Sequence, residues 1–121
     1  METAFQPQKQ LQISEVYIAD IVELKNIFLQ ISNLEIVTEN FGIPFLMIRQ
    51  KNNIIAFASL IINQKGETDF VIYEKSSLNT EEKDNFFTHV KSYFKRNNSA
   101  NYSNPLQLKS SIERTINWLN I

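Results

Sequence analysis

The 121-residue chain has no cysteine, two glycines and one histidine, and each of these shortages excludes a class of site. Without cysteine there is no disulfide framework, thiolate metal site or cysteine nucleophile. Gly42 and Gly66 are far apart, whereas a phosphate-binding loop needs several closely spaced glycines, so no P-loop or dinucleotide fingerprint exists. His89 would have to serve a histidine-based metal site or catalytic triad alone. We therefore predict no metal site and no catalytic residue.

The chain also lacks an excess of charge of one sign and lacks a long apolar run. Its 12 basic and 13 acidic residues leave a net charge of -1, too weak a field to recruit nucleic acid. The basic residues Lys91, Lys95 and Arg96 favour the C-terminal end of an amphipathic helix over a nucleic-acid surface. No apolar run approaches the roughly 20 residues of a membrane span, and no signal-peptide pattern is present. We expect a soluble, cytoplasmic protein of bacterial type without a membrane partner.

Three consecutive apolar runs form the part of the sequence around which the rest is organised. Residues 44–50, 54–63 and 68–75 are rich in Ile, Val, Phe and Tyr and are separated by Lys-Asn-Asn and Gln-Lys-Gly-Glu turns. This pattern predicts a three-stranded antiparallel meander. Ser59 is the single polar residue within 54–62, so both faces of the middle strand should be covered.

The flanking segments predict helices that cover this sheet. Helical spacing of apolar residues predicts a helix from Asp20 to Ile31, and a second one after a capping box formed by Asn79 and Glu82. A polar connector at 97–104 leads to a last helix that starts with Pro105. The apolar stripe of the second helix is expected to contain Phe86, Phe87, Val90, Tyr93 and Phe94.

Two segments near the N-terminus are less regular. Residues 1–10 are polar and are interpreted as a loose leader, which leaves 11–121 as a single α+β domain. Alternation at Leu11 and Ile13 indicates a short first strand, while 32–42 fits either a short helix or a strand. We thus predict a mostly antiparallel sheet packed by helices.

Few side chains suggest chemistry. Glu67, Asp69 and Glu74 lie on or beside the third strand of the meander; because 69 and 74 differ by an odd number, their side chains should point to opposite faces. This pattern favours a solvated strand edge over a general acid/base pair. Trp118 either packs on the core or serves as an interface residue, and both alternatives stay open.

Two segments resemble a known family. Residues 13–24, ISEVYIADIVEL, and 45–60, FLMIRQKNNIIAFASL, resemble the start of the GNAT family of N-acetyltransferases. In that family a first strand leads to a helix that opens with Asp, and a later hairpin ends in a strand similar to 54–60, where Ala56 replaces the usual glycine. The resemblance implies an acyl-CoA N-acyltransferase-like topology, with acetyl-CoA as cofactor and its thioester-bearing arm along Val71 to Glu74.

The loop that binds the cofactor in that family has a different composition in this chain. Its signature places glycine amides around the pyrophosphate of acetyl-CoA at a helix N-terminus, whereas residues 76–82 contain no glycine and end with Glu81 and Glu82. The resemblance therefore implies a truncated or degenerate relative. It carries over no catalytic residue, and the cofactor-binding residues stay unknown.

Three functional hypotheses follow. The first is a noncatalytic binding or interaction module, a homodimer or the partner of another protein, since a short sheet has edge strands that can pair. The second is an acyl-CoA-dependent N-acyltransferase, the only case in which a cofactor is expected. The third is a small-ligand-binding domain with an apolar cavity between the first helix and the sheet.

Overall fold

The computed structural model describes residues 11–76 and 78–121, and its centre is a four-stranded antiparallel sheet. The strands lie side by side in chain order: β1 (Leu11–Glu15), β2 (Ile43–Gln50), β3 (Asn53–Ile62) and β4 (Thr68–Glu74). The predicted α+β class and antiparallel sheet are confirmed. The short first strand joins the meander as β1, so the sheet has four strands instead of the three predicted. The predicted leader, 1–10, lies outside the described residues.

Both hairpins turn on residues in the left-handed conformation. Lys51 has a φ of 57° between β2 and β3, and Gly66 has a φ of 77° between β3 and β4. In the second turn the side-chain oxygen of Asn63 accepts hydrogen bonds from the backbone N–H groups of Lys65 and Glu67. This side chain holds the turn at one length and thereby fixes the register of β4 against β3.

Two β-bulges add apolar side chains to one face of the sheet. Phe45 is the extra residue of β2 and Ile55 is the extra residue of β3. Each bulged residue and the residue that follows it, Leu46 or Ala56, belong to the same core cluster. The bulges therefore interrupt the regular alternation of faces and enlarge the core on that side.

Four α-helices accompany the sheet within the described residues, 11–76 and 78–121. The connection from β1 to β2 contains α1 (Ile21–Ser32), and β4 is followed by α2 (Thr80–Arg96), α3 (Ala100–Ser103) and α4 (Pro105–Leu119). The predicted polar connector at 97–104 thus contains a short helix. After α1 ends at Ser32, the rest of segment 32–42 forms neither an α-helix nor a strand, and its one regular element is a 3-10 turn at Glu39–Phe41.

The first helix covers one face of the sheet. Leu24 and Phe28 are 0% and 1% exposed and pack in a cluster with Phe41 and Phe57. The ring of Phe28 meets Phe41 and Tyr73 edge to face, with 5.3 Å between centroids in both pairs. Burial of these large rings holds α1 and the 3-10 turn on β3 and β4.

The opposite face is covered by α2 and α4. Phe86 and Val90 of α2 and Leu108 and Ile112 of α4 are buried there with the residues of β2 and β3. Phe87 departs from the predicted buried stripe because 47% of its surface is exposed. Both faces of β3 are therefore covered, as its apolar sequence predicted.

Gly42 allows the 3-10 turn to pack directly on the backbone of β3. Its φ is 64°, and a Cβ at this position would lie 2.0 Å from the carbonyl oxygen of Leu60. No side chain fits there. This contact places Glu39 and Asn40 beside the end of β3, where they line a cleft described below.

The end of α4 is tied to α1 and to segment 32–42. The Asn120 side chain exchanges two hydrogen bonds of 2.9 Å with the backbone of Val37, and Lys25 Nζ donates to the Leu119 carbonyl oxygen at 2.8 Å. Ile116 packs against both core clusters. The last helix therefore joins the layers on the two faces of the sheet.

Candidate functional site

The outer edge of β4 presents main-chain hydrogen-bonding groups. β4 is a terminal strand, and within 11–76 and 78–121 it pairs only with β3. At the two ends of that hairpin, Lys75 N–H donates to the Ile55 carbonyl and the Glu67 carbonyl accepts from Asn63 N–H. Hydrogen bonding alternates along an antiparallel strand. The main-chain N–H and C=O groups of odd-numbered residues of β4 therefore point to β3, and those of even-numbered residues point away from it, to the free edge. The residues whose main-chain groups point to the free edge, called outward residues below because of their backbone, are Thr68, Phe70, Ile72 and Glu74.

Packing on both faces holds this edge in place. The ring of Phe70 lies 5.3 Å from Phe94 and 5.9 Å from Phe87, both on α2. On the other face the Tyr73 ring contacts Phe28 of α1, and its hydroxyl donates to the carbonyl oxygen of Asn40. The edge is therefore an ordered, largely apolar strand, the kind of template to which a further strand adds.

Charged side chains stand at both ends of the edge. Glu67 and Lys75 are exposed, and neither forms an ion pair with another residue of the described chain. Near one end, Asp69 Oδ1 accepts a 2.8 Å hydrogen bond from the N–H of Phe70, one of the outward groups. Its Oδ2 accepts from the Asn63 side chain at 3.4 Å.

The carboxylates of β4 serve local contacts. Glu74 Oε2 accepts a hydrogen bond from Leu78 N–H at 3.1 Å, and Oε1 lies 3.5 Å from Lys83 Nζ. Asp69 is engaged near the other end of the strand, as described above. Asp69 and Glu74 lie near opposite ends of β4 and each binds its own neighbours. The two carboxylates therefore do not form a general acid/base pair.

The N-terminus of α2 is capped by its own residues. Asn79 Oδ1 accepts from Glu82 N–H at 2.8 Å, and Glu82 Oε1 accepts from Asn79 N–H at 2.9 Å, which is the predicted capping box. Glu81 adds a second acidic side chain to the first turn. An anion at this helix end would compete with Asn79 for the N–H of Glu82 and would meet two carboxylates, which oppose its binding.

The opposite edge of the sheet contains a cluster of aromatic residues. The Tyr93 hydroxyl donates to Glu15 of β1 at 3.2 Å, and the Tyr93 ring stacks on Phe45 at 5.7 Å. Tyr102 of α3 meets Phe45 at 5.8 Å. Burial raises the pKa of Tyr102, and burial together with the Glu15 carboxylate raises the pKa of Tyr93. These hydroxyls therefore stay neutral donors at physiological pH.

Trp118, the predicted interface candidate, is half exposed on α4. Its exposed fraction is 50%, and the neighbouring Leu119 is 7% exposed. Ile36 and Ile121 are 61% and 101% exposed and flank the Val37–Asn120 hydrogen bonds. The end of α4 and segment 32–42 thus expose several large apolar side chains, and the indole ring is among them.

A cleft of about 440 Å³ lies between α4, the end of β3 and the 3-10 turn. Apolar side chains of Ile61, Leu106 and Ile116 line it, together with the charged side chains of Glu113 and Lys109. Leu106 is 79% exposed. None of the lining residues belongs to α1. The cleft is therefore at a different place from the cavity expected between the first helix and the sheet.

Histidine and metal chemistry find no support in the geometry. His89 is exposed on α2, and its Nδ1 lies 3.0 Å from the Asn85 carbonyl oxygen of the preceding turn. Among the residues that the structure describes, no three acidic or histidine side chains are grouped so that they could hold a metal ion. Every helix in this part of the chain is too short or too polar to cross a lipid bilayer.

The sequence predicts edge strands in general but does not tell which strand has a free pairing edge. The element order contains the signal, since β4 ends the meander and is followed only by helices. Comparison of the chain with protein-family models, curated proteins and solved structures found no match.

Proposed function

We propose that this chain is a noncatalytic interaction module that acts as a homodimer on a scaffold similar to that of the GNAT family. The observation that carries the proposal is the outer edge of β4, where ordered main-chain groups have no partner strand among the described residues. Apolar side chains at Phe70, Val71 and Ile72 make this edge suited to strand addition.

The scaffold part of the proposal has its support in the order of elements. A strand leads through a helix to three further antiparallel strands, and a helix follows the last of them. This is the order that the resemblance of 13–24 and 45–60 implies. Residues 97–121 form α3 and α4 and add no further strand, in keeping with a truncated or degenerate relative.

The acyl-CoA-dependent N-acyltransferase is the alternative on the same scaffold. Under this alternative the acyl-CoA arm would lie along Val71 to Glu74, whose outer edge has backbone groups for it. The capping box of Asn79 and Glu82 disfavours this alternative. The pyrophosphate would need main-chain amides at the N-terminus of α2, where Asn79 already accepts from the N–H of Glu82. We therefore place this hypothesis second.

A small-ligand-binding domain is the second alternative. The cleft of about 440 Å³ beside α4 supports it, since its volume suits a small organic molecule. Its walls combine apolar side chains with Lys109, Glu39 and Glu113. An amphipathic ligand would fit this lining better than a strongly charged one.

The test combines a mass measurement with a ligand titration. Sedimentation or light scattering at about 1 to 500 µM protein should show a dimer. This range of concentrations covers dimer Kd values from about micromolar to several hundred micromolar. Acetyl-CoA and free CoA, added to millimolar concentration, should leave the melting temperature unchanged, because only a ligand of the native state raises it. A monomer at every concentration would overturn the homodimer, and a saturable shift with acetyl-CoA would favour the enzyme.

A further inference from the structure

The geometry points to one interface for this dimer: β4 pairs antiparallel with β4 of a second copy, about a two-fold axis at Val71. This inference rests on the proposed function and names the surface that performs it. The two four-stranded sheets would join into one sheet of eight strands.

Hydrogen-bond parity removes half of the possible registers. Only even-numbered residues of β4 direct N–H and C=O groups outward, as the bonds of Lys75 and Glu67 to β3 establish. In a symmetric antiparallel pair, these residues must face even-numbered residues of the second copy. A two-fold axis at a residue satisfies this condition, whereas an axis between two residues pairs even with odd and leaves the ladder unbonded.

The full length of the strand favours the axis at Val71. Thr68 and Glu74 are the ends of β4, and Val71 is its midpoint. With the axis there, Thr68 faces Glu74 of the second copy and Phe70 faces its Ile72, so all four outward residues gain partners. An axis at Phe70 or at Ile72 leaves one outward residue without a partner in the second copy's β4.

Charge favours this register over the axis at Phe70, whereas the axis at Ile72, which would place Lys75 opposite Asp69 of the second copy, is disfavoured by strand length alone. With the axis at Val71, Lys75 faces Glu67 of the second copy, and by symmetry this pair forms twice. Both residues belong to the odd-numbered set, whose side chains come closest across the new ladder. An axis at Phe70 would instead bring Lys75 against Lys65 of the second copy at both ends. Glu67 and Lys75 have no ion-pair partner among the described residues of their own chain.

The side chains at the centre of this interface are apolar on both faces. Val71 would meet its own symmetry mate, and Phe70 would meet Ile72, an aromatic and β-branched pair that favours sheet association. Phe87 lies over Phe70 with a ring distance of 5.9 Å and is 47% exposed. Strand addition at this edge would cover part of the Phe87 ring. The exposed aromatic residue of α2 would then contribute apolar surface to the interface.

One bond must be exchanged when the strands pair. The N–H of Phe70 now donates to Asp69 Oδ1, and pairing would transfer it to the Ile72 carbonyl of the second copy. The carboxylate would return to water at the exposed edge. This exchange lowers the affinity of the dimer without blocking it, because one donor of the ladder is affected in each copy.

A charge exchange tests the register with variants that leave the core untouched. Lys75→Glu and Glu67→Lys each convert two attractive pairs into repulsive ones, and we expect each to raise the dimer Kd by roughly tenfold. The double variant K75E/E67K should restore the original Kd to within about threefold. Equal Kd values for all four proteins, measured by sedimentation at low salt, would overturn the assigned register.

Cross-linking locates the interface directly, since the chain has no cysteine of its own. Glu67→Cys and Lys75→Cys are prepared as separate variants, each a control for the other. Under mild oxidation their mixture should form disulfide dimers at least about tenfold faster than either variant alone, because pairing raises the effective concentration of the two thiols. A dimeric mass without this acceleration would overturn the pairing of β4 about Val71 but leave the proposed homodimer intact. A monomeric mass would overturn both.

Discussion

The two edges of the sheet differ in polarity and support. β1 has five residues, LQISE, in which apolar and polar side chains alternate, and its end is joined to α2 by the Tyr93–Glu15 bond. β4 has seven residues and contains four consecutive large side chains, Phe70 to Tyr73. Natural proteins protect edges by polar and charged side chains, among other means, and β1 shows this feature. The contrast makes β4 the better suited of the two edges for the pairing proposed above.

The anchoring of the two edges differs as well. Aromatic rings anchor β4 on both faces of the sheet. The ring of Phe70 packs against Phe94 of α2, and the ring of Tyr73 packs against Phe28 of α1. β1 depends mainly on its ladder with β2, whose register joins Leu11 to Gln50 and Glu15 to Leu46. Loss of a ring on β4 should therefore cost more stability than loss of an apolar side chain on β1.

The largest expected effect is that of Phe70→Ala. We expect the free energy of unfolding of the monomer to fall by about 3 kcal/mol, because the contacts with Phe87 and Phe94 are lost. Ile13→Ala on β1 should cost about 1.5 kcal/mol, since Ile13 is half-buried beside the same core cluster. Urea unfolding at low protein concentration measures both values.

Phe70→Leu is the matched control, because it keeps most of the apolar volume. It should recover more than half of the loss caused by Phe70→Ala. If Ile13→Ala proved more costly than Phe70→Ala, the two edges would be supported in the opposite order and β1 would be the better-anchored strand.

Much of this fold could be predicted from local patterns. The cap at Asn79 and the proline at the start of α4 are encoded by neighbouring residues and appear at their predicted places, and the turn predicted at 64–67 begins one residue earlier, at Asn63. Segment 32–42 could not be predicted in this way. Val37 and Phe41 are buried by contacts with distant elements, and the 3-10 turn depends on the approach of Gly42 to β3.

The candidate edge required knowledge of tertiary order. Hydrophobic periodicity identifies a strand but does not tell which of its residues direct N–H groups outward. That parity follows from the bonds of Lys75 and Glu67 to β3. In the same way, Phe87 belongs to an apolar stripe by spacing, yet it lies half exposed over Phe70 because α2 extends to the border of the sheet.

Hydroxyl deletion compares the polar anchors of the two edges. Tyr73→Phe removes the bond to the Asn40 carbonyl, and we expect a loss of about 1 kcal/mol in the free energy of unfolding. Tyr93→Phe removes the more exposed 3.2 Å bond to Glu15, and the loss should be about 0.5 kcal/mol or less. Chemical denaturation at pH 7 measures the pair; a larger loss for Tyr93→Phe would contradict the comparison.

Asp69 tests whether its carboxylate restrains the β4 edge. In Asp69→Ala the N–H of Phe70 loses its side-chain acceptor and becomes available for pairing, so the dimer Kd should fall by about threefold. Asp69→Asn keeps an acceptor oxygen at the same place and should change Kd less. Weaker association of Asp69→Ala than of Asp69→Asn would show that the carboxylate supports the edge instead of restraining it.

The smallest effect at neutral pH is expected for Tyr102→Phe, beside the β1 edge. Burial raises the pKa of Tyr102 above its ordinary value of about 10. Between the unfolded and the folded pKa, the folded chain retains a proton that the unfolded chain has released, so the free energy of unfolding falls as pH rises. The contribution is fully present below pH of about 10 and is lost above it.

Tyr102→Phe should therefore unfold like the parent at pH 7 and lose stability less steeply above pH of about 10. Tyr73→Phe is the corresponding variant on the β4 side, since burial also raises the pKa of Tyr73. Urea unfolding from pH 7 to 11, with tyrosinate absorbance as a second readout, compares the two edges. If Tyr102→Phe retained the full alkaline slope while Tyr73→Phe reduced it, Tyr73 and not Tyr102 would contribute to the loss of stability at alkaline pH.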